Sequence, residues 1–166
     1  VTALLMGFCM LLRSSEYLYI DDAIRESRSH AFLAKDIEFF THDGASYTAA
    51  QVDQIEWSAV TTVRLTLRHA KNDKFRIGNA TWFRAGQHLI GRFDLVEVLF
   101  DWAKRAHLQP QALFLSFWNV NTKAFFPLKA WRLRAAVKDC AKAFGFDPAY
   151  FGCHSIRVGG ASALRA

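Results

Sequence analysis

Long apolar runs, paired cysteines and prolines are all scarce in this chain, and each scarcity excludes something. The longest apolar stretch, Ala3-Leu4-Leu5-Met6-Gly7-Phe8-Cys9-Met10-Leu11-Leu12, is far shorter than the ~20 residues needed to span a bilayer. It also lacks the basic leader of a secretory signal, so a buried helix over 2–12 is expected and no membrane partner. The three cysteines, Cys9, Cys140 and Cys153, form no C-x-x-C pair. Neither a disulfide framework nor a zinc knuckle fits them, and reduced thiols in an intracellular protein are expected. His30, His42, His69, His88 and His107 show no ligand spacing and read as surface residues; no metal and no cofactor are expected. There is no repeat, low-complexity tract or Pro/Gly-rich linker, so 1–166 is taken as one domain, without an internal boundary. Its first residue is Val1 and its last expected helix is still running at Ala166, which predicts a piece of a longer protein.

What is present argues for a packed globule. Hydrophobic residues make up 52% of the chain and aromatic residues 14%, too many for a disordered tail. Lys and Arg number 21 against 15 Asp and Glu, a net charge of +6 that favours a polyanionic partner without identifying one.

The pattern of residues predicts an α+β fold, mainly helical with a small three-stranded antiparallel sheet. After the first helix, Ser14 and Ser15 offer caps for a short helix through Glu16, Tyr17 and Leu18. Residues 31–40, rich in Phe, Leu and Ile before the Asp43-Gly44 turn, predict a strand. Val63, Leu65 and Leu67 alternate with Arg64, Thr66 and Arg68, a half-buried strand with a wet, basic face. Lys71-Asn72-Asp73-Lys74 supplies turn chemistry, and 77–83 returns as the partner strand. Asp94-Leu95-Val96-Glu97 reads as a capping box for a helix with Val96, Leu99, Ala103 and Ala106 on its apolar face. Pro127 is placed at a first helical position, followed by a helix carrying Leu133, Val137, Cys140, Ala141 and Phe144 and stopped by Gly145. Trp57, Trp82, Trp102, Trp118 and Trp131 are read as core or rim packing.

The last helix carries the most chemistry. His154 and Arg157 stand at i and i+3, so an imidazole and a guanidinium share one face of a turn. Gly152-Cys153 frees the backbone to start that helix, and Gly159-Gly160 keeps the next turn thin enough for another backbone to approach. A guanidinium donates two fork-like hydrogen bonds to an oxyanion, and histidine exchanges protons near neutral pH. That pair suits phosphate chemistry.

Three stretches together carry a wider likeness: Leu11-Leu12-Arg13-Ser14-Ser15-Glu16-Tyr17-Leu18, Leu67-Arg68-His69-Ala70-Lys71-Asn72-Asp73-Lys74, and Gly152-Cys153-His154-Ser155-Ile156-Arg157-Val158-Gly159-Gly160-Ala161. This order (R-x-x-E, a lysine on a β-hairpin, then H-x-x-R) resembles the catalytic domain of the tyrosine recombinases, or phage-type integrases, over 13–166. The last block looks most like recombinases of eukaryotic Crypton-type mobile elements. The resemblance implies DNA strand breakage and rejoining through a 3′-phosphotyrosyl link. Arg13 and Arg157 would clamp the phosphorane oxygens, Lys71 would protonate the departing 5′-oxygen, and His154 would bond the phosphate and assist proton transfer. Glu16 would orient the cluster, while Arg64, Arg68 and Lys74 are candidate DNA contacts. The arginines would neutralise the charge that a metal handles elsewhere. The partner implied is double-stranded DNA, gripped by a homo-tetramer of the intact protein, and the compartment is the nucleus if the source is a eukaryotic element.

The family pattern continues with a second His or Trp and a nucleophilic Tyr beyond H-x-x-R. The four tyrosines here, Tyr17, Tyr19, Tyr47 and Tyr150, all precede Arg157, so the chain as given is expected not to cleave DNA. Two other readings stand beside this one: a domesticated relative that binds DNA without cutting it, and a type IB topoisomerase. The latter usually has a lysine where His154 stands.

Overall fold

A computed structural model of the chain describes residues 1–19, 31–68, 78–87 and 89–163. Among them are five α-helices and a four-stranded antiparallel sheet, an α+β arrangement whose main sheet has one strand more than the sequence predicts. The strands are β1 (Ile37–Thr41), β2 (Ser46–Thr48), β3 (Val60–Leu67) and β4 (Asn79–Arg84), in the order β2-β1-β3-β4. The added strand, β2, follows from the turn that the sequence does announce. Gly44 takes a left-handed φ of +84°, the Asp43 carboxylate accepts the Thr41 hydroxyl and the Ala45 N–H, and the chain folds back to pair Phe39 with Tyr47.

The strand expected over 31–40 begins only at Ile37. Residues Ala34–Asp36 form a 3-10 turn, closed by the Asp36 carboxylate, which accepts the Leu33 N–H at 2.7 Å. From Ile37 onward the alternation holds: Ile37, Phe39 and Thr41 are buried, with Val63 and Leu65 beside them from β3. The opposite face of β3 is not the bare basic surface predicted. Arg64 forms an ion pair with Glu38 on β1, with Nε 2.7 Å from Oε2, and lies over the rings of Phe40 and Trp82 at 5.7 and 5.5 Å. Arg68 reaches Asp36 with Nε at 2.7 Å and donates from Nη2 to the Ala31 carbonyl.

Helix α3 (Leu95–Ala106) covers the buried face, with Phe100 edge-on to Phe39 at 5.5 Å between centroids. Asp94 caps it, one oxygen accepting the Val96 N–H at 2.8 Å. Its other oxygen takes the Gly86 N–H from the preceding turn, while Glu97 stays exposed. Asp94 closes a short ladder, β5 (Leu89–Ile90) with β6 (Phe93–Asp94). A hairpin of β7 (Ser116–Asn119) and β8 (Ala124–Pro127) follows α3. Pro127 is therefore the last residue of a strand and not the first of a helix. The backbone stays extended through 127–129, because Leu128 donates to Leu115, Tyr19 donates to Leu128 and Ala130 donates to Tyr19. Only then does α4 (Ala130–Ala143) begin, and Gly145 ends its trailing turn at φ +79°. On α4, Leu133 and Ala141 are buried, whereas Cys140 and Phe144 are exposed.

The two helices that frame the site come from opposite ends of the chain. Helix α1 (Thr2–Cys9) is apolar on every side and packs against both α3 and α5 (Cys153–Ala163). The sequence predicts a helix to Leu12; instead it stops at Cys9 and the chain turns through Leu11, a left-handed residue at φ +52°. That conformation costs a leucine ~1–2 kcal/mol. The crossing of α1 and α5 depends on glycine. A Cβ on Gly160 would overlap the Phe8 carbonyl, one on Gly159 would sit 3.5 Å from the Phe8 ring, and one on Gly7 would come within 2.6 Å of the Tyr17 hydroxyl. Among the described residues no helix is long and apolar enough to cross a membrane.

Candidate functional site

The turn at Leu11 delivers Arg13 to the start of α5. Arg13 precedes α2 (Ser14–Tyr17), a single turn whose Glu16 holds it twice: Oε2 accepts the Arg13 N–H at 2.7 Å and Oε1 accepts Nη1 at 3.2 Å. Glu16 is nearly covered, its side chain 12% exposed, while that of Arg13 is 49% exposed. A guanidinium carries five N–H donors, so one bond to Glu16 fixes its direction and leaves most donors open.

Across from it, the first turns of α5 present His154, exposed, and Arg157, half-buried. Neither has a hydrogen bond or ion pair among the described residues. Arg13 and Ser14 from one end of the chain and Cys153, His154 and Arg157 from the other line one pocket of about 320 Å³, with Leu12 completing its wall. Two guanidiniums and an imidazole at the opening of a helix make a concave, cationic site without an internal carboxylate except Glu16, which already serves Arg13.

Beneath them, Cys153 is buried and its thiol faces the Ala130 carbonyl at 3.6 Å. Burial pushes this thiol up from its ordinary value, against an opposing pull from the Arg134 guanidinium. Cys153 is thus a neutral lining group and a poor nucleophile. Burial likewise holds the Tyr17 phenol well above its ordinary range, and the ring is 2% exposed in the core. Tyr47 lies on β2 and Tyr150 is exposed outside the pocket, while Tyr19 bridges to Lys129. No tyrosine is among the pocket's lining residues.

Lys71 and Lys74 lie outside the described residues, as do His30, His69 and His88. Arg64 and Arg68 belong to the sheet and are held by carboxylates, so neither joins the pocket. His107 pairs with Asp53 at 3.1 Å. Among the described residues no group of three or more His, Cys, Asp or Glu is arranged to hold a metal ion. The tryptophans divide. Trp57 packs on Phe100 and Trp102 donates to the Phe114 carbonyl, but Trp82, Trp118 and Trp131 are 51%, 50% and 57% exposed.

The chain matches no protein family, no curated protein and no solved structure. The chemistry of the pocket therefore rests on its own side chains. Forked cations and an imidazole suit a tetrahedral oxyanion held in a partly dry concavity. One cation at its edge escapes sequence reasoning. Arg134 of α4 lies against the start of α5, its Cγ 3.9 Å from where a Cβ on Gly152 would stand. Its signal was the run of basic residues along α4, which no motif marks.

Proposed function

We propose that the pocket grips a backbone phosphodiester of double-stranded DNA and supports strand breakage and rejoining of the tyrosine-recombinase kind. The observation that carries this reading is that Arg13 and Arg157, far apart in sequence, line one pocket together with His154. Carboxylates take up Arg64 on β3 and Arg68 just after it, but among the described residues Arg157 has none.

In such a reaction a tyrosine oxygen attacks phosphorus, a bond forms to the 3′-phosphate and the P–O bond to the 5′-oxygen breaks. The pentacoordinate species carries more negative charge than the ground state, so cations fixed in advance favour it. Arg13, steered by Glu16, and Arg157, anchored on α5, would each take non-bridging oxygens. His154 would donate to the same phosphate and pass a proton during the exchange. Lys71 would protonate the leaving 5′-oxygen. The attacking oxygen must reach the pocket from beyond its present lining.

A second reading, DNA binding without cleavage, is favoured by the lack of any tyrosine among the lining residues. Both readings require phosphate binding, so binding comes first. A fluorescent duplex should bind at low salt, with affinity falling steeply as salt rises. Arg13→Ala and Arg157→Ala should each weaken binding by roughly tenfold and flatten the salt dependence. Wild-type affinity in both variants would falsify the pocket as a phosphodiester site. A nicked duplex that traps covalent adducts then separates the two readings: an adduct in the intact protein supports strand breakage, and binding without one supports the silent relative.

A further inference from the structure

We propose that Arg134 is a further DNA-backbone contact, binding the phosphodiester next to the one held between Arg13 and Arg157. This rests on the pocket's reading as a phosphodiester site and extends it along the strand.

The placement begins with Gly152. The Arg134 Cγ lies 3.9 Å from where a side chain at that glycine would start, an ordinary contact distance, so the arginine lies beside the opening of α5. Cys153, the residue after that glycine, lines the pocket, and the nearby Arg134 charge pulls its thiol down against the upward push of burial. Arg134 thus stands beside the site's lining without belonging to it. Arg134 is exposed, and no carboxylate among the described residues pairs with it. That sets it apart from Arg64, Arg68, Lys104 and Arg105, each within ion-pair reach of a carboxylate.

The neighbouring surface fits a nucleic-acid strand. Trp131 stands one turn before Arg134 on the same helix face and is 57% exposed. Arg132 lies over its ring at 5.4 Å and over that of Phe117 at 5.1 Å, which ties α4 to the β7–β8 hairpin. Lys138 follows Arg134 at i+4, so positive charge continues along the helix. A duplex strand carries one charge at every nucleotide, and a cation beside the pocket meets the adjacent phosphate.

The test is duplex affinity of the full chain as a function of salt, for Arg134→Ala, Arg134→Lys and Arg157→Ala, with thermal unfolding recorded for each. Arg134→Ala should weaken low-salt binding roughly fivefold and reduce the log–log salt slope by about one, at unchanged melting temperature. Arg134→Lys should restore the slope, because it is the charge that meets the phosphate. If Arg157→Ala lowers the slope and Arg134→Ala does not, this proposal fails while the pocket reading stands. A loss in Arg134→Ala that lysine does not restore also overturns it, since Arg134 would then serve only to seat α5. If neither variant changes duplex binding, the pocket reading falls and takes this one with it.

Discussion

On the sheet, Arg64 and Arg68 lie against Glu38 and Asp36, their charges answered by partners on neighbouring segments. At the α1–α5 crossing, Arg157 has no such partner among the described residues, and there Arg13 has only Glu16, three residues along. Both regions hold arginine beside apolar packing, but only one leaves the charge open. Paired cations hold a structure together; an unpaired cation kept in place by surrounding packing costs stability unless an anion arrives. On the proposed reading, the difference separates the part of the molecule that folds from the part offered to a phosphate.

Substitutions can break that contrast from either side. The largest effect belongs to the core shared by sheet and helix: Phe39→Ala should cost about 3–5 kcal/mol in chemical unfolding, because Phe39 is fully buried against Phe100. At the crossing, Gly160→Ala should cost about 2–3 kcal/mol, since its methyl meets the Phe8 carbonyl of a packed helix. It should also abolish duplex binding by moving α1, and Arg13 with it, away from α5. A variant as stable as the wild type, or one that is destabilised yet still binds, would contradict the role given to that glycine.

The arginines give a sharper comparison. Arg68→Ala should destabilise the protein by about 2 kcal/mol, because it strips a partner from the buried Asp36 carboxylate. Arg157→Ala should change stability by no more than about 0.5 kcal/mol while weakening DNA binding. If both variants unfold alike, the division of labour is wrong. The smallest effect is on pH. Burial, helped by Asp94, raises the Cys9 thiol from 9.0 to about 11, and burial raises the Tyr17 phenol as well. Groups raised on folding give stability that is complete below the unfolded value and lost as pH climbs through the folded one. The melting temperature should therefore hold to about pH 9 and fall towards pH 11, and Cys9→Ala should soften that fall.

Local signals in the sequence were faithful where one physical cause dominated. The alternation of Val63 and Leu65 placed a strand, Asp94 placed a helix start, and the i, i+3 spacing of His154 and Arg157 placed both at one pocket. Signals failed where distant contacts decided. Pro127 looked like a helix start until its segment was held extended by Leu115 and Tyr19. Helix α1 ended early through a strained leucine that no propensity favours. Arg64 and Arg68 looked solvated because their carboxylates are remote in sequence or hidden in a turn. The β7–β8 hairpin was missed because its aromatic residues do not alternate with polar ones. The Asn119 side chain, which accepts the N–H groups of Asn121 and Thr122, was the available turn signal.

The crossing of α1 with α5 also sets a timetable. A ribosome makes Arg13 before Arg157, and the pocket needs both. A nascent chain stalled anywhere between them carries only part of the pocket's cationic lining, which is complete once α5 has been made and has docked on α1.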